Sequence, residues 1–117
     1  MNNRPVYLAA GGTGGHIFPA LAVAETLQNR GYSTHLFTDR RGAKLLSNAS
    51  SLPARLHIIA AASPFQHGIT KCIFAVAKLA AGAAASMYHL LVRRPALIIG
   101  FGGYPSFAPL MIGRLLG

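Results

Sequence analysis

Acidic side chains are almost missing from this chain. Glu25 and Asp39 are the only two, against eleven Lys and Arg, which leaves a formal net charge of +9 on 117 residues. Beyond Asp39 there is no acid at all. Such a surface attracts anions of any kind, so nucleic acid, acidic lipid and phosphorylated metabolites all fit the charge, which selects only the sign of a partner. Cysteine is nearly missing too. Cys72 stands alone, which excludes an intrachain disulfide, and no neighbouring ligands suggest a zinc or redox motif, so it reads as buried filler in a protein of a reducing compartment. No low-complexity linker divides the sequence. With 52% hydrophobic residues the chain is long enough for one buried core and too short for two. The opening stretch MNNRPVYLAAGG has one Arg and an apolar run too short for a signal peptide, cut off by glycines. The expectation is a protein made and kept in the cytoplasm.

What is present is an alternation of short apolar runs and helical patterns. Val6 to Ala10 is wholly apolar and stopped by glycine, as suits a parallel strand buried on both faces. From about His16 to Arg30 the pattern is helical, with Leu21, Ala24 and Leu27 on one face, Pro19 expected in the first turn and Gly31 as terminator. A second strand over Thr34 to Thr38, a short helix over Arg41 to Ser47 and a third strand over Leu56 to Ile59 follow. After a loop near AAASPFQHG come a long helix over Ile69 to Val92, a break at Pro95, a fourth strand over Ala96 to Ile99 and a last helix from about Ser106. This order implies an α/β fold: a doubly wound parallel sheet with helices on both faces and the strand order 3-2-1-4. A sheet of four strands has an open apolar edge, and marginal stability is expected of it.

Two glycine clusters, AGGTGGH at 10–16 and GFGGY at 100–104, each follow a strand. In that strand order strands 1 and 4 are neighbours, and their loops open onto one crevice at the carboxyl edge of the sheet. Glycine permits positive φ and close approach to a ligand, and the N–H groups that start each helix favour a negative group. The pair could hold a diphosphate or two phosphorylated substrates. A P-loop is excluded because no Gly-Lys-Ser/Thr follows. A dinucleotide fingerprint is incomplete, with Ile17 where a third glycine is wanted, although Asp39 at the end of strand 2 is placed either to bind a ribose or to cap a helix. A nucleotide-binding Rossmann module, for NAD(P) or another nucleotide, therefore stays open as a second reading.

AGGTGGHIFPALAVA near the start and IIGFGGYPSFAPL near the end closely resemble the N-terminal domain of the MurG family, over essentially all 117 residues. The resemblance implies the Rossmann-like N-terminal half of a GT-B glycosyltransferase: an inverting, metal-independent enzyme without cofactor that moves N-acetylglucosamine from its UDP derivative to lipid I, forming lipid II in peptidoglycan synthesis. It implies that residues 1–117 are the acceptor-side domain, that the C-terminal donor domain and a His-Glu-Gln-Asn segment are absent, and that the chain alone is inactive. Thr13, Gly14 and Gly15 would then reach the donor, and Gly12, Gly102, Gly103, Tyr104 and Ser106 would lie near the acceptor diphosphate. The implied partners are UDP-N-acetylglucosamine, lipid I, an anionic membrane surface and the missing domain or a partner chain, with no nucleic acid. The implied location is the cytoplasmic face of the bacterial inner membrane, as a peripheral protein. Pro105 and Phe107 occupy places where many family members carry other residues. A non-catalytic membrane-recruiting subunit of a split transferase is the third reading.

Inverting transfer needs a base for the attacking hydroxyl, and His16 is the best-placed candidate. An imidazole at the start of a helix meets the positive end of the dipole, and a neutral imidazole can accept a proton. The competing role is a hydrogen bond to phosphate or a helix cap. His35, His57, His67 and His89 have no ligand-like spacing and read as structural or surface residues. In the helix of Ile69 to Val92, long enough to span a bilayer at roughly 25 residues, Lys71, Lys78, His89 and Arg93 fall in one stripe at about 100° per residue. That pattern predicts an amphipathic crossover helix with a solvent-facing basic stripe, whose surface also rests on anionic lipid, rather than a span.

Overall fold

The computed structural model describes residues 4–49, 51–59 and 68–117. The order is β1 (Val6–Ala9), α1 (Gly14–Asn29), β2 (Thr34–Thr38), α2 (Arg40–Leu45), β3 (Arg55–Ile58), α3 (Ile69–Val92), β4 (Leu97–Gly100) and α4 (Tyr104–Leu116). The four strands form one parallel sheet in the order β3-β2-β1-β4, as the glycine-punctuated pattern predicts. The loop near AAASPFQHG, with His67, falls almost wholly outside the described residues.

Successive residues of β1 feed opposite faces of the sheet. Val6, Leu8 and Ala10 join Leu36 of β2 and Ile17, Ala20 and Ala24 of α1 in one core, with Leu21 and Leu27 packed at its margin. Tyr7, Ala9 and Phe37 join Leu90 of α3 and Ile112 of α4 in the other. Both faces are thus covered, and β1 and β2 are buried along their whole length. Each fully buried Leu or Ile here contributes about 1.5–3 kcal/mol. At the β4 edge, by contrast, Leu97 is exposed.

Two helices begin earlier than their sequence pattern suggests. Glycines 14 and 15 lie inside α1, so Pro19 is its sixth residue rather than a first-turn residue. Its ring nitrogen cannot donate to the carbonyl of Gly15, a bond the first-turn reading did not expect to lose. Helix α4 starts at Tyr104 with Pro105 in its first two positions, where a missing N–H costs nothing.

Helix α3 departs from expectation more deeply. Its buried stripe is made of small residues, Ala75, Gly82 and Ser86, with Leu90, and it packs chiefly on α4. Ser86 satisfies its buried hydroxyl by donating to the carbonyl of Gly82 at 2.7 Å. Lys71, Lys78 and Arg93 are exposed as expected, but His89 is half-buried and its ring centroid lies 4.2 Å from that of His57. Close helix packing selects the small side chains, and the bulky apolar ones are left outside: Ile69 is 81% exposed, and Ile73, Phe74, Tyr88 and Val92 are exposed with it. By length and composition alone α3 could cross a membrane, yet its inner stripe belongs to the domain core.

Under the α3 side of the sheet lies an aromatic cluster that single-residue reading did not bring together. Tyr7 stacks on His35 and Phe37 with centroids 4.7 and 5.2 Å apart, and His35 Nδ1 meets His57 Nε2 at 2.7 Å. Burial, reinforced by the positive charge of His89, His35 and Arg55, pushes His57 down to about 4. Burial also lowers His35, with Arg93, Arg55 and His89 acting in the same direction. The tyrosine hydroxyl of Tyr7 is raised by burial, against the pull of Arg93 and Arg55. His35 and His57 are thus biased toward their neutral forms.

Candidate functional site

The register sets the site. Ala9 of β1 pairs with Phe37 of β2 and with Gly100 of β4, so the loops after β1 and β4 leave the sheet at one level. The ladder continues beyond the strands: Phe101 N donates to Ala9 O at 2.8 Å, and Gly11 N donates to Gly102 O at 2.8 Å. The two glycine loops are therefore joined backbone to backbone.

Between them lies the ring of His16, the third residue of α1. A Cβ added at Gly11 would stand 2.9 Å from His16 Nδ1 and 2.9 Å from Gly103 Cα, and one at Gly102 would stand 3.1 Å from His16 Nε2 and Cδ2. One at Gly103 would overlap Gly11 Cα. The glycines are where they are because an imidazole and a second backbone occupy the space that side chains would need. Nδ1 lies 3.0 Å from the Thr13 hydroxyl, and Nε2 lies against Gly102 of the second loop.

The loops use glycine for different reasons. In the second, Gly102 and Gly103 adopt φ of +98° and +82°, a region that side chains rarely enter. In the first, no glycine has positive φ, contrary to the expectation, and close packing selects glycine at Gly11 and Gly12, whereas Gly15 has room for a Cβ. Gly12, assigned by resemblance to the acceptor, is buried and hemmed in by Asp39 Oδ1 and the Arg41 side chain, on the β2 side of the loop. Gly14 and Gly15 open α1. Their N–H groups are the first of the helix, where no intrahelical partner exists, and no acid stands in the first turn. At α4 the corresponding end is more closed. Pro105 has no N–H, and Ser106 gives both its amide and its hydroxyl, at 3.2 and 2.8 Å, to Gly103 O. Ser106, a predicted acceptor contact, thus spends its proton on the turn, while Tyr104 marks the start of the helix.

Asp39 is resolved by its partners. Its Oδ1 accepts from Gly42 N at 3.0 Å as the N-cap of α2, and its Oδ2 pairs with Arg41 at 3.1 Å. The carboxylate is committed to α2, and Ile17, at the place of the third fingerprint glycine, is fully buried in the core. Both features of the dinucleotide reading thus serve packing. Among the described residues no group of three His, Cys, Asp or Glu is arranged to hold a metal ion. Sequence reading missed the Thr13 to His16 contact, although a spacing of three across a helix start was its available signal.

Comparison with known proteins agrees with this geometry. The chain is 39% identical over 118 residues to the UDP-N-acetylglucosamine--N-acetylmuramyl-(pentapeptide) pyrophosphoryl-undecaprenol N-acetylglucosamine transferase of Agrobacterium fabrum, an alignment covering 100% of this chain and 30% of that protein. The crystal structure of Acinetobacter baumannii MurG superposes with a TM-score of 0.78 at 29% identity, covering 97% of this chain and 33% of that one. The calicheamicin glycosyltransferase CalG4 shares the fold, with a TM-score of 0.60 at 24% identity over 99% of this chain and 28% of its own. The chain thus spans about a third of the length of the proteins it matches. The doubly wound sheet is that of the N-terminal half of a GT-B glycosyltransferase. Residues 6–116 match the family model for the glycosyltransferase family 28 N-terminal domain, and to that family the chain belongs.

Proposed function

We propose that this chain is the acceptor-side part of an inverting transferase that moves N-acetylglucosamine from UDP-N-acetylglucosamine to lipid I, with a C-terminal donor domain or partner chain completing the enzyme. The observation that carries the reading is the imidazole of His16 set between two backbone-linked glycine loops. In this reading the C4 hydroxyl of the muramoyl sugar attacks the anomeric carbon of N-acetylglucosamine, and the bond from that carbon to the UDP oxygen breaks. The hydroxyl proton passes to His16 Nε2, and UDP departs. The open N–H groups of Gly14 and Gly15, with the backbone of Thr13, serve the donor, and the loop of Gly102, Gly103 and Tyr104 serves the acceptor diphosphate. The exposed apolar residues of α3, flanked by Lys71, Lys78 and Arg93, fit a peripheral contact with an anionic membrane that carries a lipid-linked acceptor, at the cytoplasmic face of the inner membrane.

The test is His16→Ala in the chain combined with its C-terminal half. Turnover at saturating donor and acceptor should fall about 10²–10⁴-fold, as loss of a general base does, with donor affinity nearly retained. A raised Michaelis constant with turnover intact would assign His16 to phosphate binding instead.

A further inference from the structure

We propose that Thr13 is a positioning residue for His16: its hydroxyl accepts a hydrogen bond from Nδ1–H, which leaves the lone pair on Nε2, the nitrogen beside Gly102, to accept a proton. The proposal deepens the reading of His16 as the base and rests on it for its catalytic consequence, although the tautomer it specifies can be observed without catalysis.

Three observations carry it. Thr13 is the N-cap of α1, with extended backbone at φ −105° and ψ 154°, yet its side chain makes no capping bond. A threonine there ordinarily gives its oxygen to an amide of the first turn, a stabilising contact. Here that contact is forgone, and Oγ1 sits 3.0 Å from His16 Nδ1. The Thr13 backbone carbonyl meanwhile receives His16 N at 3.1 Å and Ile17 N at 2.9 Å, so the residue that turns the imidazole is fixed to the helix that bears it.

The second observation is confinement. Positions 11, 102 and 103 have no room for a Cβ beside the imidazole: 11 and 103 lie nearest Nδ1, and 102 lies nearest Nε2 and Cδ2, so backbone confines the ring at both nitrogens. Walls restrict where the ring lies, but they do not say which nitrogen bears the proton. A hydrogen-bonding partner at one nitrogen does.

The third is chemical. A neutral imidazole has one donor and one acceptor nitrogen. A base that works through Nε2 must hold its proton on Nδ1, the less favoured tautomer of histidine in water, and needs an acceptor there. Thr13 Oγ1, released from capping, has its lone pairs available for that role. When Nε2 takes the proton, the same oxygen still accepts from the resulting imidazolium, so no rearrangement accompanies the transfer.

The reading separates Thr13 from a residue that merely touches the donor, and the experiment does the same. Nitrogen-15 shifts of the His16 ring, measured on the labelled full chain at a pH where the ring is neutral, should show protonated Nδ1 in the native chain and in Thr13→Ser. Thr13→Val, which keeps the shape and removes the hydroxyl, should move the ring toward the Nε2–H form. In the chain combined with its C-terminal half, Thr13→Val should lower turnover about tenfold at saturating donor with the donor Michaelis constant little changed, since one neutral hydrogen bond is lost. Thr13→Ser should recover most of that loss. A native His16 protonated on Nε2, or a tautomer indifferent to Thr13→Val, overturns the proposal. So does a Thr13→Val enzyme whose donor Michaelis constant rises with turnover intact, because the hydroxyl would then serve the sugar nucleotide. If His16→Ala keeps its turnover while Thr13→Val still shifts the tautomer, the base reading fails and the positioning of the ring by Thr13 stands.

Discussion

The loop after β1 and the loop after β4 look alike as strings and differ as structures. The first keeps every glycine at ordinary backbone angles and needs Gly11 and Gly12 small, because Asp39, Arg41, His16 and the second loop crowd against them. The second needs glycine twice for its angles, at Gly102 and Gly103. At the helix starts the contrast reverses. Gly14 and Gly15 open α1 with free amides, whereas Pro105 and Ser106 close the start of α4. One loop is a close-packed floor that ends in the open start of a helix, and the other is a bent strap laid against His16. A glycine-rich motif is thus not one device, and substitution by alanine asks a different question at each position.

The largest effect is expected at Gly103→Ala. The new Cβ would overlap Gly11 Cα in a backbone held at φ +82°, so strain and backbone displacement add. Loss of stability should exceed about 3 kcal/mol in denaturant titration. A well-folded Gly103→Ala protein would mean that the loops are not packed backbone to backbone. Gly12→Ala meets no φ penalty but drives its Cβ into Asp39 and Arg41. It should cost about 1–3 kcal/mol, and Arg41→Gly should relieve part of the loss in a double-mutant cycle, because Arg41 Cβ, which alanine would keep, is one of the two obstacles.

Protonation extends the comparison from the loops to the aromatic cluster under the sheet, where His57 lies. His57 is held at about 4 in the folded chain by burial and by the charges of His89, His35 and Arg55, while an unfolded histidine titrates near 6.5. Between those values the unfolded chain binds the extra proton, so stability falls as the pH drops from about 6.5 toward 4 and is fully present above that window. The expected loss is on the order of 1–2 kcal/mol, and His57→Gln should flatten the slope of unfolding free energy against pH. A slope that survives the substitution would point to His35 instead. The smallest effect belongs to Gly15→Ala. Its Cβ would meet only Thr13 Oγ1, at 3.9 Å, inside a helix. Stability should rise by up to about 1 kcal/mol, while the donor Michaelis constant rises if the sugar nucleotide approaches that amide.

Much of this was legible in the sequence. Strand order and the pairing of the loops follow from apolar runs stopped by glycine and from the rule that sequential β-α units wind about a central strand. His16 is legible for the same reason, as the histidine that ends the first glycine cluster. The rest depends on partners distant in sequence. Nothing in AGGTGGH says that Asp39 and Arg41 fill the space over Gly12. The start of α1 was misplaced because two glycines argue against a helix by propensity, while the Thr13 carbonyl and the fixed exit from β1 begin one there. His89 was set among solvent-facing lysines because helical angle alone does not reveal which stripe a neighbouring helix selects, and α4 selects the small residues.

The pairing of β1 with β4 has a consequence in time. About ninety residues separate Val6 from its partner Leu97. Closing so long a loop is entropically costly, and contacts of that span form late. At 5–20 residues per second, β1 waits on the order of ten seconds during synthesis before β4 exists. Until then the Gly11 amide has no Gly102 carbonyl to meet, and His16 has only one wall. The order of events is written in the topology: β1, β2 and β3 can assemble on their own schedule, but the site closes at the final strand. Closure of the site would therefore coincide with the last strand pairing of this sheet, and the contact of Gly11 with Gly102 would be among the latest to form.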